Sequence, residues 1–122
     1  MEPDRRIVGL MTVSHGERFL SPLPDGRLVV PPTILTEAVA QVGAVLVLTK
    51  PENRGKLVFF MGIERVRYRR PVCAGDVVRL EVTARRFRSR MGQFEGVARV
   101  DGRVAAQGVM TFAMTDPEGF MF

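Results

Sequence analysis

One long apolar segment, Thr33-Ile-Leu-Thr-Glu-Ala-Val-Ala-Gln-Val-Gly-Ala-Val-Leu-Val-Leu48, indicates the architecture of the chain. Pro31 and Pro32 give it a stiff entry, Thr33 can cap or open its first turn, and Lys50-Pro51 ends it. We therefore predict one helix over residues 33–48. It is apolar nearly all round, and a helix without a polar face must be covered on every side. The helix is expected at the centre of the domain.

Strands are predicted on both sides of this helix. Ile7 to Val13 is a short apolar run rich in β-branched residues, and a long loop over residues 14–32 connects it to the helix. After the helix, Leu57 to Met61 is a continuous apolar run, which predicts a strand buried on both faces.

The second half of the chain alternates with period two. The residues expected to face inward are Val66, Tyr68, Val78, Leu80, Val82, Ala84, Phe94, Gly96, Ala98 and Val100. Asp101-Gly102 predicts a tight hairpin before a last strand over residues 104–114. Successive hairpins imply an antiparallel sheet, and a single buried helix implies that this sheet curls around it. We predict an α+β wrap, a curved antiparallel sheet around one long central helix.

One sheet leaves part of the helix and a strand edge uncovered. A second copy of the chain is the simplest cover, so we expect a homodimer or a higher homo-oligomer.

Composition bounds the class of protein. The chain has 122 residues, 46% hydrophobic and 25% charged, which indicates one globular domain over residues 1–122 and excludes disorder. The apolar stretch over residues 38–48 is about half of the ~20 residues that a membrane-spanning helix needs, and no secretory signal is visible, so we expect a cytoplasmic protein. The single cysteine, Cys73, excludes an internal disulfide framework and a multi-thiolate zinc site, and we expect no metal and no cofactor.

Polar side chains on the helix point to chemistry. Thr33, Glu37 and Gln41 are spaced by four and share one face. A carboxylate on a covered helix is costly unless it is paired or lines a cavity, so Glu37 is a candidate functional group. The alternative is that Glu37 only complements the helix dipole.

Five segments carry a resemblance to a known family: Glu37–Gln41, Gly55–Ile63, Arg67–Val72, Ala74–Asp76 and Arg79–Val82. In this order and spacing they resemble the (3R)-hydroxyacyl-acyl-carrier-protein dehydratases of bacterial fatty acid synthesis. The resemblance is gap-free from about Arg6 to Met114 and implies the hotdog fold, which agrees with the predicted wrap. The family's N-terminal helix has no counterpart in this sequence.

The resemblance implies a mechanism shared by two subunits. A histidine in the loop before the helix removes the C2 proton of the substrate, and a helix carboxylate of the other subunit assists departure of the 3-hydroxyl group. A backbone N–H at the helix N-terminus polarises the thioester carbonyl, and an apolar tunnel holds the acyl chain. Carried over to this chain, the carboxylate is Glu37 with Gln41 in support. The histidine position is Leu23 and the position of the N–H is Pro32.

These two positions depart from the family. Leucine cannot exchange a proton and proline has no N–H, and either loss costs on the order of a hundredfold or more in rate. We therefore expect a dehydratase-like protein that associates with acyl thioesters but is impaired in 3-hydroxyacyl dehydration. The one histidine, His15, is interpreted as an exposed loop residue, with a catalytic role as the alternative.

Substrate and partner sites follow from the same resemblance. We expect the acyl thioester to lie against Leu23, Thr33, Phe59, Phe60, Met61 and Gly62. The chain carries a net charge of +5, and its arginines cluster near residues 65–70 and 85–90. We expect Arg67, Arg69, Arg70, Arg86 and Arg88 to contact an acidic acyl carrier protein or the phosphates of coenzyme A.

Three other functions stay open at this point. Glu37 could direct water at a thioester carbonyl, which would make the protein an acyl thioesterase. The chain could be a partner subunit that supplies Glu37 to a catalytically complete homologue. A basic nucleic-acid-binding protein is the least favoured, because no recognised nucleic-acid motif is present.

Overall fold

The period-two pattern after residue 56 becomes an antiparallel sheet, and the apolar stretch before it becomes a helix. The structure is a computed structural model that describes residues 6–49, 55–88 and 91–116, with residues 86–88 described by their backbone alone. In chain order the elements are β1 (Arg6–Thr12), β2 (Ser21–Pro22), β3 (Leu28–Val29), α1 (Pro32–Leu48), β4 (Leu57–Tyr68), β5 (Val77–Arg88), β6 (Met91–Val100) and β7 (Arg103–Thr115).

The main sheet of the described chain has five strands in the order β1-β5-β6-β7-β4, and all neighbours are antiparallel. β6 and β7 form the predicted hairpin. Asp101 and Gly102 at its tip have φ angles of 52° and 76°, as the tight hairpin turn requires. The order leaves β1 and β4 at the two edges. β2 and β3 form a separate hairpin inside the loop before the helix.

The core lies between α1 and the inner face of the sheet. Val78, Leu80, Val82, Phe94 and Ala98 are buried there, as the alternation predicted. The helix comes closest to β6 at a glycine: a Cβ atom on Gly43 would lie 2.6 Å from Cδ2 of Phe94. The Phe94 ring is itself stacked on Phe112, with 4.2 Å between ring centroids. The predicted wrap of a sheet around one helix is confirmed.

One prediction about burial is wrong for the single chain. α1 packs against β1, β5 and β6 and leaves the β4 side of the sheet largely open. Phe60 and Met61 are therefore exposed at the edge, whereas the run from Leu57 to Met61 was expected to be buried on both faces. Part of the helix is uncovered as well, because Glu37 and Val45 are exposed. The predicted uncovered part of the helix and the open strand edge are both confirmed.

The edge strand β4 is also irregular. Its pairing with β7 shifts register between Phe60 and Gly62 and again between Glu64 and Arg67. Arg65, inside the second irregularity, has a φ angle of 53°, an uncommon conformation for a residue with a side chain. Among the described residues, no helix has both the length and the apolar character needed to cross a membrane.

Candidate functional site

A cleft of about 320 Å³ opens at the N-terminal end of α1. Leu23 and Pro32 both line it, so the structure brings together the two positions at which the sequence departs from the family. The other lining side chains are Val29, Val30, Leu35, Tyr68, Arg69, Arg70, Pro71 and Val72. The cleft has the size of a small-molecule site, and most of its surface is apolar.

The β2–β3 hairpin holds Leu23 in this cleft. The Leu23 N–H donates to the Arg27 carbonyl at 2.8 Å, and the Gly26 N–H donates to the Leu23 carbonyl at 2.9 Å. Asp25 stabilises the tip, because its carboxylate accepts the N–H of Arg27 at 3.0 Å and the Arg27 guanidinium at 2.8 Å. The backbone hydrogen bond from Arg27 lowers the pKa of Asp25.

The first turn of the helix offers few free donors. Pro31 precedes the helix without a side-chain cap and Pro32 occupies the first position, so Thr33 lies in the first turn, as one of its two predicted roles required, and does not cap the helix. The N–H groups of Ile34 and Leu35 both donate to the Pro31 carbonyl, at 3.0 and 3.4 Å. Within the described chain the Thr33 N–H has no acceptor, and it is the one backbone donor left at this end. Thr33 is exposed and does not line the cleft.

A smaller cavity of about 30 Å³ lies deeper, between α1 and the inner face of the sheet. Leu35 and Tyr68 line both this cavity and the cleft, so they form the boundary between the two. At that boundary the Tyr68 hydroxyl lies 3.0 Å from Oγ1 of Thr36. The cavity has room for a water molecule or two and not for an acyl chain.

Glu37 and Gln41 lie on the exposed stripe of the helix. The Gln41 amide donates to the Glu37 carboxylate at 3.3 Å, which supports the predicted pairing of the two. Glu37 lines neither the cleft nor the deeper cavity. In the single chain α1 turns its 33/37/41 face away from the sheet, so the expectation that Glu37 faces an apolar channel between two subunits stays a prediction. Use of Glu37 in thioester hydrolysis stays a prediction.

The predicted substrate residues on β4 lie apart from the cleft. Phe60 packs its ring against Phe94 with 6.1 Å between centroids, and Met61 and Gly62 are exposed at the strand edge. Neither these residues nor Phe59 line the cleft or the deeper cavity. Of the six predicted substrate contacts, Leu23 is the one that the single chain places in the cleft. The role of the others stays a prediction.

The predicted partner-binding arginines divide into two groups. Arg69 and Arg70 line the mouth of the cleft and also a basic groove of about 810 Å³, which we call the arginine groove and which adds Arg99 and Arg103. Arg67 instead lies in a separate groove of about 400 Å³ with Arg65 and Arg85. The side chains of Arg86 and Arg88 lie outside the described part of the structure.

Ion pairs show which arginines are already neutralised. Burial raises the pKa of Glu81, but hydrogen bonds from Arg99 and Arg79 outweigh this effect, so its pKa lies below the usual value of 4.5. Arg99 is therefore partly engaged. Arg69, Arg70 and Arg103 form no ion pair with any described residue, so their charges are available in the arginine groove.

His15 and Cys73 lie outside the cleft lining. His15 is exposed beside the turn at Gly75, and Cys73 is a partly buried free thiol. In the described ranges no group of three or more His, Cys, Asp and Glu side chains could hold a metal ion. The cleft residue that sequence reasoning missed is Tyr68, and the one available signal was that it is the only tyrosine of the chain.

Comparison with known proteins gives a consistent result. The sequence matches the FabA-like domain family over residues 4–109. It is 44% identical over 116 residues to the 3-hydroxyacyl-[acyl-carrier-protein] dehydratase FabZ of Herpetosiphon aurantiacus, covering 95% of this chain and 82% of that one.

Solved structures show the same fold at lower identity. A hot-dog-like protein from Thermanaerovibrio acidaminovorans has a TM-score of 0.76 at 16% identity, covering 94% of this chain and 84% of that one. The dehydratase heterocomplex ApeI:P from Xenorhabdus doucetiae has a TM-score of 0.79 at 21% identity, covering 97% and 80%. These similarities confirm the predicted hotdog fold.

Proposed function

The chain belongs to the FabA-like domain family together with the FabZ 3-hydroxyacyl-[acyl-carrier-protein] dehydratases, and from this premise we propose that it binds acyl thioesters without dehydrating 3-hydroxyacyl thioesters on its own. The observation that carries the proposal is the cleft at the helix N-terminus, which keeps an apolar lining but presents Leu23 and Pro32.

The cleft lacks the proton acceptor that dehydration requires. A proton next to a thioester carbonyl is weakly acidic, so its removal needs a positioned base, which contributes about 10² to 10⁴ in rate. The only imidazole of the chain belongs to His15, which is exposed beside Gly75 and does not line the cleft. Pro32 has no N–H to stabilise the enolate oxygen, a loss of about 10² to 10³.

The arginine groove supports a phosphate-bearing carrier. It continues from the mouth of the cleft through Arg69 and Arg70, and Arg103 adds a third charge without an ion pair among the described residues. If the acyl group lies in the cleft, the pantetheine arm would extend from the cleft into the arginine groove. The guanidinium groups there are suited to bind phosphate. Coenzyme A and the phosphopantetheine of an acyl carrier protein share this chemistry.

A second copy of the chain would complete the site. Phe60, Met61 and Ile63 leave apolar surface open along β4, and Val45 does so on the helix. A homodimer formed over this surface would cover it and would bring the exposed Glu37 of one subunit towards the other subunit. Such a dimer also agrees with the arrangement that the family resemblance implies.

The test is a calorimetric titration of the protein with butyryl-CoA and with 3-hydroxybutyryl-CoA. We expect saturable binding of both ligands and no formation of enoyl thioester. Leu23→Trp fills the cleft and should abolish binding, while Leu10→Trp places the same side chain on the exposed edge of β1 and should bind as the wild type does. Absence of binding by the wild type, or equal binding by the two variants, would refute the proposal.

A second candidate function is that of a partner subunit for a complete dehydratase. The exposed Glu37, held by Gln41 and directed away from its own cleft, favours it, and a solved structural neighbour is a dehydratase heterocomplex. The test mixes this chain with a homologous dehydratase whose own helix carboxylate has been replaced. Recovery of dehydration with the wild type and not with Glu37→Gln would support this role, and no recovery with either would exclude it.

A further inference from the structure

A pair of hydroxyl groups lies at the boundary between the cleft and the deeper cavity. Tyr68 is the last residue of β4, and its hydroxyl is 3.0 Å from Oγ1 of Thr36 in the second turn of α1. The Thr36 hydroxyl also donates to the Pro32 carbonyl at 3.1 Å. Since threonine has a single hydroxyl proton, the bond to Pro32 leaves Tyr68 to donate to Thr36.

Five other lining residues have a backbone N–H that is already occupied. Backbone N–H groups that already donate to protein carbonyls belong to Leu23, Val30, Leu35, Arg69 and Arg70. Pro32 and Pro71 have none. Among the described lining residues, the side chains with donors are Tyr68, Arg69 and Arg70, and the two arginines also line the arginine groove outside. Tyr68 is thus the side-chain donor of the inner, apolar part of the cleft.

The Tyr68 hydroxyl is free to change partner. Tyr68 is 48% exposed, so its O–H can turn from Thr36 to another acceptor without leaving a buried polar atom unpaired. Thr36 keeps its own bond to the Pro32 carbonyl when this happens. In the empty protein, the hydrogen bond to Thr36 therefore holds the Tyr68 ring at the boundary. When a ligand binds, the Tyr68 hydroxyl can donate its hydrogen bond to the ligand instead.

We propose that the Tyr68 hydroxyl binds the carbonyl oxygen of an acyl thioester in the cleft, in place of the backbone N–H that Pro32 lacks. This inference rests on the proposed function and names the group that recognises the thioester. A neutral phenol is a good donor to a carbonyl oxygen, and one such hydrogen bond contributes about three- to tenfold in affinity.

Two ligands that differ in the carbonyl oxygen test this directly. Butyryl-CoA is a thioester, and S-butyl-CoA is the thioether of equal length without the oxygen. The wild type should bind the thioester about three- to tenfold more tightly than the thioether. Tyr68→Phe should bind both equally. Thr36→Val removes the partner of Tyr68 but keeps its hydroxyl, and it should retain the preference for the thioester.

The NMR signal of Tyr68 can be observed on its own because of the composition of the chain. It has one tyrosine and no tryptophan, so protein labelled with ¹³C at the tyrosine ζ carbon gives a single signal, that of Tyr68. We expect this signal to shift more with the thioester than with the thioether. Equal shifts with the two ligands, or an undiminished thioester preference in Tyr68→Phe, would overturn the inference. Failure of the wild type to bind either ligand would instead overturn the proposed function.

Discussion

Leu23 and Pro32 set the chemistry of the cleft without changing its shape. The hairpin fixes Leu23 through two backbone hydrogen bonds, of which neither involves the side chain, and Pro32 keeps the helix start that a first-position proline favours. A different side chain at residue 23 would therefore be held in the same place. The missing groups can be restored one residue at a time.

The double variant Leu23→His, Pro32→Gly should gain 3-hydroxyacyl dehydration by about a hundredfold or more over the wild type, because it restores a base and a backbone donor. The assay follows enoyl thioester formation from 3-hydroxybutyryl-CoA. Leu23→Gln, Pro32→Gly is the matched control, with a polar side chain that is not a base, and should stay inactive. If the histidine variant binds the substrate but forms no more enoyl thioester than the wild type does, Leu23 and Pro32 are not the cause of the missing dehydration activity.

Glu81 provides a prediction about pH. Its pKa is lowered in the folded state by Arg99 and Arg79, so its stabilising contribution is present above its usual pKa of 4.5 and is lost as the pH falls through the folded value. Glu81→Gln should lower the free energy of unfolding by roughly 1 kcal/mol near neutral pH. The difference from the wild type should shrink as the pH falls below 4.5, as denaturant titrations would show.

Glu95→Gln is the control for that experiment. Its carboxylate is half exposed and, among the described residues, pairs with Arg85 alone at 3.1 Å, so a smaller effect is expected. A destabilisation by Glu81→Gln that stays constant from neutral to acid pH would contradict the assignment.

At the scale of elements, the position of the helix depends on its approach to β6. Gly43 faces the Phe94 ring, which is fully buried and stacked on Phe112 and so has little room to move. Gly96 of β6 shows the converse contact, because a Cβ atom there would clash with Val39. The helix and β6 can therefore pack closely because each of them has a glycine at the point of contact.

Gly43→Ala should destabilise the protein by roughly 1–2 kcal/mol, even though alanine is the better helix former, because the added methyl overlaps a ring that cannot shift. Thermal or denaturant unfolding measures the change. Combining it with Phe94→Leu should give a smaller loss than the sum of the two single changes. A stabilising Gly43→Ala would show that the helix lies farther from β6 than described.

The sequence was sufficient for the elements whose pattern is local. The alternation in β5 and β6, the Asp101-Gly102 turn and the helix bounds follow from nearby residues, and all are found. The sequence was not sufficient to predict the burial of β4, because an apolar run does not show whether a strand is central or at an edge. The contact between Thr36 and Tyr68 was equally hidden, because it joins residues 32 positions apart that meet only after the sheet has formed.

For the molecule as a whole, the exposed apolar surface along β4 and the helix indicates association with another subunit. Ile63 on β4 is 49% exposed and Val45 on the helix is equally so, while Arg69, Arg70 and Arg103 line the arginine groove. Apolar surface beside an uncovered strand edge is a typical site of association between subunits.

Ile63→Lys should weaken homodimer formation by about tenfold or more, because it places a charge in the apolar interface. Sedimentation over a range of protein concentrations measures the effect. Leu10→Lys, at the opposite edge of the sheet and 72% exposed, is the matched control and should leave the dimer intact. A dimer that is broken by Leu10→Lys and not by Ile63→Lys would place the interface on β1.

The most direct test of binding without dehydration is a single-turnover measurement. Excess wild-type protein is incubated with 3-hydroxybutyryl-CoA, and the thioesters are then recovered and quantified, with a complete dehydratase in parallel to mark the equilibrium amount of enoyl thioester. We predict that the substrate is held by the protein and is recovered unchanged. Formation of enoyl thioester at the pace of the complete enzyme would contradict this conclusion, because it would require a base that the Leu23 cleft does not contain.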